Sequence, residues 1–326
     1  MSTGLEGAYF VVSLIVTLYA ASVFANRLDH LGVRLGLPES LLGLLTAAAA
    51  DAPELASAIA AIATAAPSIG IGVVVGSNVF NLGAMIGLST LVAGRVKLRR
   101  EALALEGGVA LGVAIIVVLL GFGVLPAWAA VIGSILLLLP YVAVVALAEG
   151  HILSVRQRLR LRRTMGERHR RERVRGRELW LPLMLLPPAV AAIVLGSLGM
   201  VQSAVHIGHA AGIPDALIGT LVLAVVTSLP NAYTGVRLGI ARRGSALVSE
   251  TMNSNTINLV GAIAIPALFV SVAIESRLGR IDAIWLLAAT ALAVLLLARR
   301  GGITRPGGAM LLGSWVAFAL VQGIVG

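Results

Sequence analysis

The chain has 326 residues, 58% of them hydrophobic and 12% charged, with a mean hydropathy of +0.97. Soluble domains are about a quarter charged, so this composition excludes a soluble fold and implies an integral membrane protein. The net charge of +10 raises a nucleic-acid reading, while the absence of cysteine excludes disulfides, cysteine-ligated zinc and thiol catalysis.

A membrane helix needs about 20 apolar residues. Ten stretches qualify in chain order, at roughly 6–26, 37–64, 69–94, 102–124, 127–149, 179–203, 213–240, 246–273, 282–298 and 308–325. The alternation of a membrane β-barrel is absent. The predicted fold class is therefore an all-α polytopic membrane protein with ten transmembrane helices. The first span has Glu6 before it and no positively charged start, so it is expected to be retained rather than cleaved as a leader. Five spans fall in residues 1–150 and five in 179–326, separated by a basic segment at 151–178. An odd number of spans per half turns the second half upside down. That makes two inverted five-helix repeats, an architecture of secondary transporters whose site lies near the midplane.

The basic residues test this topology. With the amino terminus outside, the cytoplasmic loops hold Arg27 and Arg34, then Arg95, Lys97, Arg99 and Arg100, then eleven arginines between Arg156 and Arg177. They also hold Arg237, Arg242 and Arg243, then Arg299, Arg300 and Arg305, which brings the total to 23 of the 25 basic residues. Only Arg277 and Arg280 fall outside, beside Glu275 and Asp282. This is the positive-inside pattern. The 151–178 segment is thus read as a cytoplasmic loop near anionic lipid, with no nucleic-acid partner. Both termini are expected outside, in a plasma or bacterial-type inner membrane. The sequence carries no signal for oligomeric state.

Two of the apolar regions contain polar motifs that repeat at a constant offset of 177 residues. The first reads Asp51-Ala52-Pro53-Glu54 and then Gly76-Ser77-Asn78-Val79-Phe80-Asn81. The second reads Ser228-Leu229-Pro230-Asn231 and then Asn253-Ser254-Asn255-Thr256-Ile257-Asn258. Such groups are costly in lipid and mark function by default. Pro53 and Pro230 remove a backbone donor, which predicts a kinked or opened helix with freed carbonyls near Ala49 and Val226. Asp51 and Glu54 share a helix face with nothing basic near them in sequence. They must bind a cation, carry protons, or share a proton as structural glue. Asn78 and Asn81, like Asn255 and Asn258, offer amide oxygens suited to Ca²⁺ and similar hard cations. Asn78 and Asn255 serve equally well as interhelical glue, and Gly76, Ser77 and Ser254 permit close packing. Thr227 and Ser228 add hydroxyls, or bond back to their own helix.

Weaker candidates are Glu250 at the entrance of the eighth span, and His206 and His209 in a short outer loop, which make a poor metal site with two ligands. Glu101, Glu106 and Glu149 fall near span ends, where charges reach water. No Ser–His–Asp set, His-Glu-x-x-His or phosphate-cradling loop is present, so no catalytic residue, cofactor or enzymatic activity is expected.

At its doubled motif the chain resembles the cation/calcium exchanger superfamily, whose sodium/calcium exchangers carry two inverted repeats. Here they fall at about 37–94 and 213–273. Each family repeat has a Gly-Thr-Ser-x-Pro-Glu core followed by Gly-Ser-Asn-x-x-Asn or Asp. The resemblance covers essentially the whole chain and implies that the central ion lies among Glu54, Asn81, Asn231 and Asn258. Three departures stand out. Asn231 occupies a position where the family has glutamate, Asn258 one where many members have aspartate, and Asp51 replaces a serine. The implied function is an antiporter exchanging Ca²⁺ for Na⁺ or H⁺ by alternating access. Asp51 and Glu54 would be its charged ligands and Asn81, Asn231 and Asn258 neutral ones. Ser77, Thr227, Ser228 and Ser254 would line the sodium positions. The alternatives are a monovalent cation/H⁺ exchanger of the same fold and a non-transporting scaffold derived from an exchanger.

Overall fold

Lipid offers no partner to a bare peptide group, and a helix satisfies its own, so the apolar runs of this chain become helices. The computed structural model describes residues 3–35, 48–64, 66–97, 100–151 and 180–325. Its helices are α1 (Thr3–Leu35), α2 (Ala52–Ala63), α3 (Pro67–Ala93), α4 (Arg100–Gly121) and α5 (Ala127–His151). The second half supplies α6 (Trp180–Ala210), α7 (Asp215–Ile240), α8 (Gly244–Leu259), α9 (Arg277–Ala298) and α10 (Arg305–Val325). Every predicted stretch thus contains helix, although residues 36–47 and the 152–178 part of the basic segment lie outside the described residues. Among the described residues, seven helices are long and apolar enough to cross a membrane. The helix α8 is not one of them, because Glu250, Thr251, Asn253, Ser254, Asn255, Thr256 and Asn258 crowd its sixteen residues.

The long helices α1 and α6 run side by side, and α3 packs against α7 and α8 at the centre. The approach of α3 to α7 is close enough that a Cβ at Gly76 would collide with the Thr220 carbonyl oxygen, and one at Gly219 with that of Ile69. Small residues at these crossings let the helices carrying the polar motifs touch backbone to backbone. Beyond α3 the two-residue strand β1 (Arg95–Val96) pairs antiparallel with β2 (Ile303–Thr304), just before α10. This ribbon joins two loops that the charge pattern assigns to the same side.

Three local expectations need correction. The helix α6 runs on to Ala210, so His206 and His209 sit on its last turns rather than in a loop. His206 Nδ1 lies 3.5 Å from Glu6 and His209 Nε2 lies 2.6 Å from Asp215, which uses each histidine in a separate pair. Glu106 is only partly free to reach water, being half-buried with Ser249 Oγ 2.8 Å from both its carboxylate oxygens inside the α4–α8 contact. The side chains of Glu101 and Glu149 lie outside the described residues. Asp282, read as lying outside beside Arg277 and Arg280, is buried at 3% exposure and accepts a hydrogen bond from Gln322.

Candidate cation site

The two prolines act differently. Residues 48–50 are helical, the chain turns at Asp51, and Pro53 occupies the first turn of a new helix, α2, where its missing N–H costs nothing. Asp51 sits at that break (φ −79°, ψ −2°) with its side chain free of capping duty. In the second repeat the α-helical stretch Ala224–Ile240 runs through Pro230 without a break. The irregularity there is a π-helical turn at Ile218–Leu223, about two turns or more before Pro230. The expectation of two equivalent openings therefore holds as a break in the first repeat only.

Two more π-helical turns occur at Asn81–Leu88 and Val260–Ala264, the first beginning at the last motif asparagine of α3 and the second two residues after that of α8. Each widened turn leaves carbonyls off the regular ladder, and such turns concentrate at functional sites. Nothing in local composition announces them.

The acids, asparagines and hydroxyls singled out as candidate ligands (Asp51, Glu54, Ser77, Asn78, Asn81, Thr227, Ser228, Asn231, Ser254, Asn255 and Asn258) are all buried, none more than 4% exposed. Asn78 Nδ2 donates to the Asn255 carbonyl at 3.1 Å, and Asn255 Nδ2 returns a bond to the Asn78 carbonyl at 3.0 Å. This reciprocal pair sits on the pseudo-two-fold axis between the inverted repeats. Asn81 Nδ2 reaches Asn255 Oδ1 at 3.3 Å, and the equivalent Asn258 Nδ2 reaches Asn78 Oδ1 at 3.5 Å. The axis is thus built from four asparagines, with Asn78 and Asn255 serving as the glue between repeats.

Both carboxylates lie beside this axis, each 1% exposed. Ser228 Oγ donates to Glu54 Oε1 at 2.6 Å, and Asn258 Nδ2 donates to Glu54 Oε2. Asn231 Nδ2 spans the two acids, 2.8 Å from Asp51 Oδ1 and 3.0 Å from Glu54 Oε1. Ser254 Oγ donates to Asp51 Oδ1 at 2.7 Å and receives Asn81 Nδ2 at 3.3 Å. All these donors are neutral. Among the described residues, the ion pairs are those of His206 and His209, so neither acid has a cationic side-chain partner.

Three oxygens at this junction have no hydrogen-bond partner among the described residues: Asp51 Oδ2, Asn81 Oδ1 and Asn258 Oδ1. A buried acceptor left unsatisfied costs about 1–3 kcal/mol. Two carboxylates, one of them with a free oxygen, and two unused amide oxygens, closed off from solvent and with no basic partner among the described residues, form the donor set of a hard cation. Thr227 and Ser77 stand apart from this set. Thr227 Oγ1 bonds back to Leu223 O at 2.8 Å, and Ser77 Oγ faces Ala224 O at 3.5 Å.

A second polar group escaped the sequence reading. Tyr141 of α5 donates to Asn253 Oδ1 at 2.7 Å, one turn beyond the Ser249–Glu106 contact on α8. The only sequence signal was Asn253 itself, which stands where the first motif has Gly76.

Comparison with known proteins agrees with this geometry. The family described as sodium/calcium exchanger protein matches residues 6–148 and 182–324. The sodium/calcium exchanger MaX1 of Methanosarcina acetivorans is 26% identical over 95% of this chain and 96% of its own length. An uncharacterised membrane protein, MJ0091 of Methanocaldococcus jannaschii, is 24% identical over 82% of this chain and 83% of its own. Among solved structures, the sodium–calcium exchanger NCX_Mj soaked with 10 mM Na⁺ superposes with a TM-score of 0.63 at 21% identity, covering 97% of this chain and 98% of that one. Native YfkE superposes with a TM-score of 0.70 at 17% identity, over 99% and 93%. These superpositions extend the inverted-repeat fold across the whole chain. The chain belongs to the sodium/calcium exchanger protein family, an integral membrane family of cation antiporters rather than enzymes.

Proposed function

We propose that the protein exchanges Ca²⁺ for Na⁺ or H⁺ by alternating access, with the cation held between the repeats by Asp51 and Glu54. The observation that carries this reading is a set of oxygens unpartnered among the described residues, one on the buried Asp51 carboxylate (Oδ2) and two on amides (Asn81 Oδ1 and Asn258 Oδ1), beside the second buried acid, Glu54. Ca²⁺ takes six to eight oxygens, and a site charge of −2 balances it. Asn231 and Asn258 at present turn their Nδ2 groups to the acids. A half-turn of the Asn231 amide presents its oxygen instead, while Asn258 has its Oδ1 free beside its bond to Glu54, so the asparagines can hold the carboxylates when the ion has left and help bind it when it arrives. Ser228 and Ser254 keep the carboxylates oriented and offer hydroxyl oxygens to Na⁺.

Exchange follows from competition. Ca²⁺ and its counter-ions need the same two carboxylates, so one must leave before the other binds. The empty site, with two bare buried charges, is the costly state for crossing between inward and outward forms. In this reading residues 1–150 and 179–326 are the two moving halves, the termini face outward, and the 151–178 segment faces the cytoplasm. Asn78 and Asn255 pin the axis and bind no ion. Thr227 and Ser77 have structural roles.

The test is ⁴⁵Ca²⁺ uptake into proteoliposomes under opposed Na⁺ or H⁺ gradients, with a pH dye to separate the two counter-ions. Uptake that needs one of these gradients supports the proposal; no flux under any gradient overturns the calcium assignment.

A further inference from the structure

The cytoplasm-assigned ends of α3, α7 and α8 meet at a cavity of about 730 Å³. Its wall carries Arg95, Lys97, Arg242 and Arg243, together with the first turn of α8, and among the described residues no acidic side chain lines it, although Glu250 lies near Arg243. A neighbouring cavity of about 380 Å³ shares Lys97 and adds Arg299 and Arg300. A concave surface lined by one sign of charge concentrates the opposite ion.

Two features at this place are not required by topology. Arg242 closes α7 with a φ of 56°, and it is the only residue other than glycine with positive φ among the described residues. Glycine is the usual occupant of that conformation, because any Cβ crowds the neighbouring carbonyl. Here the chain bends through an arginine, which places a guanidinium on the cavity wall. The helix α8 then starts at Gly244 with no side-chain cap. Gly244, Ser245 and Ala246, which line the same cavity, are its first residues, whose amides have no acceptor in their own helix. The positive-inside rule asks for basic loops on this side. It does not ask for a hollow between them, an arginine in a glycine conformation, or an open helix start facing the hollow.

We propose that this cavity binds a phosphate-bearing anion, with Arg242, Arg243, Arg95 and Lys97 as its cationic ligands and the α8 amides as its floor. Arginine forks and free amides match phosphate oxygens, and the volume exceeds what a chloride or a single carboxylate would fill. The anion is the headgroup of a phosphomonoester lipid or a soluble phosphate compound, which share this chemistry. The site also has a lever on transport. α3 carries Asn78 and Asn81, α7 carries Ser228 and Asn231, and α8 carries Ser254 and Asn258. An occupant bridging Arg95 and Lys97 to the α7–α8 turn ties the ends of all three.

The experiment measures the melting temperature of the full chain in phosphatidylcholine nanodiscs. One arm adds pyrophosphate; the second includes phosphatidic acid; the third includes phosphatidylserine at matched charge. A rise with phosphatidic acid alone marks a lipid site, and a rise with pyrophosphate marks a soluble ligand. Arg242→Gly is expected to raise the melting temperature of the unliganded protein, by relieving the backbone, and to abolish the response to phosphate. Lys97→Gln is expected to weaken binding about tenfold while leaving the unliganded melting temperature in place. The proposal is overturned if neither phosphate source stabilises the protein, if phosphatidylserine does as well as phosphatidic acid, or if both variants respond like the wild type.

Discussion

The motifs at 51–81 and 228–258 share a scaffold but divide the chemistry unequally. Both place a proline next to the key ligand position, both meet at the Asn78–Asn255 axis, and both pass into a π-helical turn at or just after the last asparagine. Even the Ser228–Glu54 and Asn231–Asp51 bonds are images of one another under the offset of 177. Yet the first motif holds both acids and breaks its helix at Asp51, while the second holds only neutral donors in a helix that stays continuous through Pro230. Backbone symmetry therefore fixes where ligands stand without fixing which repeat carries the charge. In this chain repeat one supplies the charge, and repeat two supplies the hydrogen bonds that keep it in place.

The largest expected effect comes from removing charge from repeat one. Glu54→Gln deletes the acid that has all its donors in repeat two, and Ca²⁺ transport should fall about 100-fold or more in the proteoliposome assay, the scale of a buried charged ligand lost. Next comes moving the charge rather than removing it. Asp51→Ser with Asn231→Glu returns one acid to repeat two at constant total charge. Each single variant should transport poorly. The double variant should recover more than the sum of the two, with a coupling of about 1–3 kcal/mol in a double-mutant cycle of apparent Ca²⁺ affinity. If the double variant is as poor as the worse single, the division of labour is not merely one of charge placement.

A smaller effect probes the symmetric part. Asn78→Ala and Asn255→Ala should each cost about 1–3 kcal/mol of stability, because each strands a buried carbonyl on the other repeat. The two losses should match closely, and the double variant should cost less than their sum. Unequal losses, read as shifts in detergent melting temperature, would break the symmetry claimed for the axis. Smallest of all is Thr227→Val, whose hydroxyl serves only its own helix. Transport should stay within about twofold of wild type, an allowance of roughly 0.4 kcal/mol.

How much of this was legible beforehand follows the range of each interaction. Apolar runs, the 177-residue offset and the isolation of Asp51 and Glu54 from basic residues are local or countable, and the structure keeps each of them. Which amide meets which carbonyl is not local: Asn78 and Asn255 read equally well as ligands or glue until the repeats are brought face to face. The contrast between Pro53 and Pro230 was hidden for a similar reason. Identical residues open or continue a helix according to what packs around the freed backbone, and that depends on neighbours far away in sequence. Glu106 shows the limit of hydropathy, since its closeness to a span end suggested water while Ser249 of the other repeat holds it.

The account rests on Asp51 and Glu54 holding a cation between the repeats. Its most direct test is the melting temperature of the purified protein titrated with Ca²⁺ at constant ionic strength, compared with Asp51→Asn/Glu54→Gln. A ligand that binds only the folded protein stabilises it by RT ln(1 + [L]/Kd). The wild type should therefore gain stability steadily with Ca²⁺, and the double variant should show none of that gain. Equal stabilisation of both proteins by Ca²⁺ would place the cation elsewhere and contradict the account.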